Sequence, residues 1–209
     1  AADLEPTAPL PAEGKYCDEC RLCMASCASG LMDKKERTTV TMGGMEFSYS
    51  KRLSYHRCDL VCGGFTGLAK NGTWSTWSPG RFPIPEKDEE FQPALLKAIG
   101  DSWPRPEIAG GFYHPAMPGQ RKLNFTCGNC QLLCHPDRAE RKRRYKLLTK
   151  SGVVVQHPDG SLEAVPPRVA KRHLAAMTPE QRVCYEDVSA QAVPVMRERA
   201  ASALKTGAR

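Results

Sequence analysis

The sequence lacks several patterns by which the larger classes of protein are recognised. It contains no apolar run of about 18 residues, which excludes a membrane span within the residues given. It has no defensible Ser–His–Asp order, no paired catalytic carboxylates, no phosphate-binding glycine loop and no dinucleotide fingerprint. These absences leave no residue with a catalytic assignment.

The chain also lacks a recognisable beginning. Its first residues, Ala1-Ala2-Asp3-Leu4, contain no initiating Met, no basic start and no apolar signal core. We therefore expect either that a leader has been removed or that the chain is a piece of something longer.

Length and composition fit one globular unit that is rich in loops. The 209 residues are 41% hydrophobic and include 17 glycines and 17 prolines. This size allows one ordinary domain, or a small domain with a large insertion, and no second large catalytic domain. The net charge of +7 favours an acidic partner, which can be an electron carrier, a nucleic acid or a membrane surface.

Cysteine is abundant in this sequence, and it is the reactive residue type whose positions form a pattern. Nine of the ten cysteines fall into three groups: Cys17, Cys20, Cys23 and Cys27; Cys58 and Cys62; Cys127, Cys130 and Cys134. The tenth, Cys184, stands alone in a predicted helix and is expected to be a buried structural thiol.

The spacing of the first group, C-x2-C-x2-C-x3-C, is that of bacterial ferredoxins. Three close thiolates wrap one [4Fe–4S] cluster, while the fourth cysteine serves a different cluster. The first cluster is then expected to take Cys17, Cys20, Cys23 and Cys134. The second takes Cys27, Cys127, Cys130 and either Cys58 or Cys62. Eight thiolates in two sets leave no open iron for substrate, which predicts electron transfer.

Two alternatives explain fewer of these cysteines. A tetrahedral zinc site can use Cys17-x2-Cys20 and Cys127-x2-Cys130, but it leaves Cys23, Cys27 and Cys134 without a role. A disulfide scaffold seldom repeats spacings of two and three residues in this way.

The remaining sequence predicts an α+β fold with a bicluster ferredoxin-like core. Residues 1–15 are expected to form an extended linker, and residues 16–140 the two-cluster domain, with a long and mostly irregular loop insertion at about 59–126. Residues 141–209 are expected to form a C-terminal tail with a basic helix, a β-hairpin and helices. Another hairpin is predicted around Gly43-Gly44, and helices at residues 86–99, 137–150, 167–176 and from Thr178 onward.

Several segments together resemble a known family. Asp3-Leu4-Glu5-Pro6, the first cysteine run, Arg57-Cys58 and Cys127-Gly128-Asn129-Cys130-Gln131-Leu132-Leu133-Cys134 are similar to the iron–sulfur half of epoxyqueuosine reductases and reductive dehalogenases. The match covers residues 1–137, without the insertion. The resemblance implies that Cys58 is the eighth ligand, with Cys62 in reserve. It also implies a cobalamin cofactor, although only through missing sequence or a partner, because nothing here resembles the corrinoid domain.

The most basic stretch follows the last cysteine group directly. We expect a docking patch for an acidic redox partner there, formed by Arg138, Arg141, Lys142, Arg143 and Arg144. One alternative is that these basic side chains only face solvent on the helix surface, and another is that they contact tRNA.

The leading functional prediction is an electron-transfer protein that relays single electrons from an acidic donor to an acceptor enzyme. The alternatives are the C-terminal part of a cobalamin-dependent reductase, and a structural or assembly subunit of a redox complex. Oxygen-sensitive clusters favour the cytoplasm, while export after cluster insertion, or membrane association through a complex, is the alternative location.

Overall fold

The structure is a computed structural model that describes residues 17–42, 44–102, 127–182 and 185–187. These residues form helices and two small antiparallel sheets, so the fold belongs to the mixed α+β class. The expected linker at 1–15, the later part of the insertion at 103–126 and Cys184 lie outside the described residues. Within the described residues, no helix has the length and apolar character needed to cross a membrane.

The first sheet is the hairpin predicted around Gly43-Gly44, and it is longer than the sequence indicated. Strand β1 spans Met32–Met42 and strand β2 spans Met45–Arg52, paired antiparallel with Met42 opposite Met45 at the tip. Gly44 has a φ of 78°, the left-handed conformation that a tight turn requires. Most side chains of the hairpin are exposed, and none of them belongs to the two hydrophobic clusters described below.

The insertion contains the larger hydrophobic cluster of the described chain. Helix α2 spans His56–Cys62, and a 3₁₀ turn at Asp88–Glu90 leads into helix α3, Phe91–Ser102. Between these helices the chain has isolated bridges instead of regular strands, yet much of it is buried. The cluster consists of Leu60, Phe65, Phe82, Phe91 and Ala98. The insertion is irregular, as expected, but it supplies a packed core that a loose surface loop lacks.

The C-terminal tail forms a second hydrophobic cluster. Helix α5 spans Arg138–Thr149, strands β3 (Val153–Gln156) and β4 (Leu162–Val165) pair antiparallel, and helices α6 (Pro167–Ala176) and α7 (Pro179–Arg182) follow. These elements agree with the predicted helices and hairpin. Asp137 caps α5 by accepting from the Ala139 N–H at 2.8 Å. The cluster joins Val153, Val155, Val165 and Ala170 to Leu68 of the insertion.

Hydrogen bonds tie the tail to the insertion. Ser75 donates its backbone N–H to the Gly152 carbonyl at 3.0 Å, and its hydroxyl accepts from the Val154 N–H at 2.8 Å. Gly80 lies so close to the Gly64 and Phe65 carbonyl oxygens that an added Cβ would fall 2.4 and 2.5 Å from them. The absence of a side chain at Gly80 is therefore a packing requirement.

Two very short helices complete the described structure. Helix α1 spans Leu22–Ala25 and helix α4 spans Asn129–Leu132, and the two pack against each other. Each belongs to a cysteine group, so this pairing brings the first and third groups together.

Candidate metal centre

The first and third cysteine groups have the same local backbone. In each, the residue after a cysteine adopts the left-handed conformation, with φ and ψ of 59° and 11° at Arg21 and of 61° and −6° at Gly128. A four-residue helix follows and contains the next cysteine of the group. The last cysteine then donates its N–H to a carbonyl of that helix, Cys27 to Met24 at 3.2 Å and Cys134 to Gln131 at 3.1 Å. The two segments are therefore structural copies of one motif.

Four sulfurs lie together around Cys23, and we call them the first sulfur group. Burial raises the pKa of the Cys23 thiol, and the neighbouring sulfurs of Cys20, Cys17 and Cys134 raise it further. Cys134 is distant in sequence, and the packing of α4 against α1 brings it to this position. These are the four residues that the ferredoxin spacing assigns to the first cluster.

Five sulfurs lie together around Cys127, and we call them the second sulfur group. Burial raises the pKa of the Cys127 thiol to about 12, and the sulfurs of Cys62, Cys27 and Cys130 contribute to this increase. Cys27 and Cys62 act on Cys130 in the same direction, after burial. The fifth member is Cys58, whose raised thiol pKa reflects its hydrogen bond to Cys62, then burial, and then the sulfurs of Cys62, Cys27 and Cys127.

Cys58 and Cys62 face each other on α2, with their Sγ atoms 3.3 Å apart. This contact and a hydrogen bond from the Cys127 N–H lower the pKa of the Cys62 thiol to about 6, although burial opposes the shift. The helix spacing of four residues places both thiols on one side of α2. The geometry thus offers two candidates for one ligand position, and the choice of Cys58 stays a prediction.

Two buried donors beside these sulfurs have no hydrogen-bond partner among the described residues. They are Nδ2 of Asn129, which lies between Cys127 and Cys130, and Nε of Arg141. A buried donor left without an acceptor costs about 1–3 kcal/mol, so such an atom takes its acceptor from an ordered water or from a ligand. The sulfurs of an iron–sulfur cluster are acceptors of this kind. Both the thiols and these buried N–H donors are therefore compatible with two iron–sulfur clusters.

The backbone between the cysteines is strained in the same region. Glu19 and Arg21 both have a φ of 59°, and they are the non-glycine residues with positive φ in the described chain. Each such residue costs about 1–2 kcal/mol and persists only where its surroundings impose it. Wrapping three thiolates of one short segment around a cluster is such a constraint.

Among the described residues, no group of three His, Cys, Asp or Glu side chains converges closely enough to hold a single metal ion. A four-iron cluster places its four thiolates at the corners of a larger object than a single tetrahedral ion, so this finding concerns single ions and leaves the two sulfur groups compatible with clusters.

The expected docking patch differs from its sequence-based description at one residue. Arg141 is 4% exposed and forms a bidentate ion pair with Asp18, with both N–O distances 2.8 Å. Its burial removes it from the surface that a partner can reach, and we correct the expectation accordingly. Arg138, Lys142 and Arg143 are exposed, and Arg144 is half-buried.

Carboxylates already neutralise part of this basic helix. Glu140 accepts from both Arg143 and Arg144, and these contacts lower its pKa to about 2. Arg144 also donates to the Leu132 carbonyl at 2.8 Å. Helix α5 therefore holds both cysteine segments, through Arg141 to the first and through Arg144 to the third.

A second buried arginine fixes the middle cysteine group. Arg57 is 8% exposed, donates from Nε to Asp88 at 2.6 Å and from Nη1 to the Ser29 carbonyl at 3.0 Å, and stacks on Phe91. It thereby joins the loop after Cys27 to the helix of the middle group. The sequence marks Arg57 only as a neighbour of Cys58, and its structural role depends on partners far along the chain.

Comparisons with known proteins add no identification. The chain matches no protein-family model, no curated protein and no solved structure. The two sulfur groups are therefore the feature of this chain that indicates a function.

Proposed function

We propose that this chain relays single electrons through two [4Fe–4S] clusters. The first sulfur group would hold one cluster through Cys17, Cys20, Cys23 and Cys134. The second sulfur group would hold the other through Cys27, Cys127, Cys130 and Cys58, with Cys62 as the reserve ligand.

One observation carries this proposal: the cysteines are exchanged between the two copies of the motif. Cys134 of the third group lies with Cys23, and Cys27 of the first group lies with Cys127 and Cys130. Spacing alone predicts this exchange, because the last cysteine of a ferredoxin run serves the other cluster. A chain that bound separate zinc ions at each group would have no need of it.

When bound, such clusters accept and release one electron each, and four thiolates per cluster leave no iron open to a substrate. The protein residues then have three tasks. The cysteines fix the two metal groups close together, the buried donors stabilise the charge that reduction adds, and the insertion and α5 hold the cysteine segments in place. This division of tasks suits electron transfer better than catalysis at the metal.

We further propose that the electron donor is an acidic protein that docks on α5. The helix packs against α1 and donates through Arg144 to the Leu132 carbonyl, so it lies beside both cysteine segments. Its exposed cations Arg138, Lys142 and Arg143 give a positive surface at that point. Charges of this kind steer an oppositely charged carrier toward the site where electrons enter.

Anaerobic iron and sulfide analysis with EPR of the reduced protein tests the two-cluster assignment. We expect about eight irons per chain, with spin-coupled signals from two clusters. Cys134→Ser and Cys130→Ser should each lose about half of the iron and the coupling, and each should retain a different single-cluster signal. About four irons in the unaltered chain, or zinc in their place, would overturn the proposal.

The same measurement distinguishes the two thiols of α2. Cys58→Ser should lose about half of the iron, because the resemblance implies Cys58 as a ligand, whereas Cys62→Ser should retain it. The reverse result would assign Cys62. A cobalt assay on protein from its native source separates a simple relay from a corrinoid reductase, because only the latter contains cobalt.

A further inference from the structure

Arg141 is a buried arginine on the basic helix α5. It belongs to a helix with mostly exposed charges, yet its side chain is buried and both terminal nitrogens bind Asp18. Asp18 lies between Cys17 and Cys20, and its Oδ1 also accepts from the Cys20 N–H at 3.2 Å. The guanidinium is therefore fixed from one side by the loop that wraps the first sulfur group.

The other side of the guanidinium has an unused donor. Its Nε is buried and has no hydrogen-bond partner within the described part of the chain. The side chain interacts electrostatically with the sulfurs of Cys20 and Cys134, both members of the first sulfur group. An exposed arginine satisfies this N–H with bulk water, whereas a buried one needs an acceptor held within the site.

We infer that Arg141 is a positioning residue that donates its Nε–H to a sulfur of the first cluster and raises the reduction potential of that cluster. This inference rests on the proposed function. A charge-assisted hydrogen bond strengthens as its acceptor becomes more negative, so it stabilises the reduced cluster more than the oxidised one. Asp18 holds the guanidinium in place and reduces its net charge.

The cations near the second sulfur group are placed differently. Arg52 interacts electrostatically with the Cys130 sulfur, but its side chain is exposed and its Nη1 donates to the Tyr55 hydroxyl. Arg57 is buried, and its Nε and Nη1 donate to Asp88 and the Ser29 carbonyl. Arg141 thus gives the two clusters different surroundings and makes the first the easier one to reduce. At equilibrium, an electron delivered at α5 would then reside mainly on the first cluster.

An EPR-monitored redox titration of Arg141→Gln tests the inference. At a fixed ambient potential near the midpoint, the ratio of reduced to oxidised first cluster should fall about tenfold, which is about 59 mV for a one-electron couple. The second cluster should change little. Arg141→Lys keeps the charge but not the planar fork, so it should recover part of the shift.

The variant Asp18→Asn distinguishes an effect of Arg141 on the cluster potential from a purely structural support of the loop between Cys17 and Cys20. It removes a negative charge and leaves the arginine, so the potential of the first cluster should rise, opposite to Arg141→Gln. A bridge that is merely structural would be broken by both variants, and both would shift the potential in the same direction. Arg143→Gln is the matched control, because it removes one exposed charge from the same helix and should leave both potentials unchanged.

Unchanged potentials in an Arg141→Gln protein that retains about eight irons would overturn the inference and leave the proposed function intact. If Arg141→Gln fails to fold, shifts of the same sign in Asp18→Asn and Arg141→Lys would overturn it equally. A chain without iron–sulfur clusters would refute the proposed function itself.

Discussion

At the level of single residues, the two copies of the cysteine motif differ at the position that needs a left-handed backbone. The third group has Gly128 there, which adopts this conformation without steric cost. The first group has Arg21 at nearly the same angles, where a side chain costs about 1–2 kcal/mol. The first group therefore stores strain that the third group does not.

We predict that Arg21→Gly stabilises the protein by up to about 1 kcal/mol, because it relieves this strain at the cost of some unfolded-state entropy. Gly128→Ala should destabilise the protein by a similar amount. Anaerobic denaturant unfolding followed by circular dichroism measures both changes.

Thr39→Gly is the control for the introduction of a glycine, because Thr39 is exposed and pairs regularly with Ser48 in the first hairpin. It should cost about 0.5–1 kcal/mol, as glycine does at an ordinary strand position. A loss of stability in Arg21→Gly as large as that in Thr39→Gly would show that the left-handed backbone at Arg21 is not strained in solution.

At the level of elements, α5 and α6 are both basic but differ in what their charges contact. On α5, Glu140 and Asp18 neutralise several arginines, and the helix touches both cysteine segments. On α6, Arg168, Lys171 and Arg172 line a shallow cavity and form no ion pair within the described chain, but the helix packs on β3. Proximity to the sulfur groups favours α5 as the docking element, whereas unpaired charge favours α6.

We predict that an acidic electron carrier docks on α5, because α5 lies beside the sulfur groups. The double variant Lys142→Glu and Arg143→Glu should slow reduction by a small acidic ferredoxin at least about tenfold at low ionic strength. The matched variant Lys171→Glu and Arg172→Glu, with the same change in charge, should have a much smaller effect. Stopped-flow absorbance measures both rates, and reduction by dithionite provides a reference that needs no docking.

The effect on α5 should shrink as salt is added, because screening shortens the reach of exposed charges. A larger loss of rate in the α6 variant would move the docking surface to α6. Equal rates in both variants would remove the acidic protein partner from the proposal.

At the level of the whole molecule, the sequence predicts elements well and long-range packing poorly. The hairpin around Gly44 and the start of α5 at Asp137 follow from turn and capping residues, and the structure confirms them. The ion pair between Asp18 and Arg141 does not follow, because local patterns contain no information about partners so far apart. The same limit made the insertion read as a loop, although Phe65 pairs edge-to-face with Phe82 inside its core.

The sulfur groups are partly predictable from the sequence. Spacing predicts which cysteines meet, and the structure brings the same residues together, yet the ligand sets stay predictions until iron is measured. The residues around the sulfur groups, such as Arg141 and Asn129, have no sequence signal that identifies them, because burial of a polar residue depends on the assembled fold.

The distribution of buried apolar residues leads to a last prediction. Both hydrophobic clusters lie outside the first and third cysteine groups. The buried residues of those groups are mainly small or polar, among them Ser26, Ser29 and Asn129. Burial of such residues contributes little hydrophobic free energy, so the cysteine segments should depend on metal for their shape. The insertion and the C-terminal tail should not.

Removal of the proposed clusters by an anaerobic iron chelator should therefore unfold only part of the molecule. Amide hydrogen exchange measured by mass spectrometry should show lost protection at residues 17–31 and 127–137, with protection retained in α3 and β3. Cys127→Ala should lower iron content and folded yield and reproduce part of this pattern, whereas Cys62→Ser, which keeps the expected ligands, should not. Uniform loss of protection would show that the clusters stabilise the whole chain, and no loss would show that the cysteine segments fold without metal.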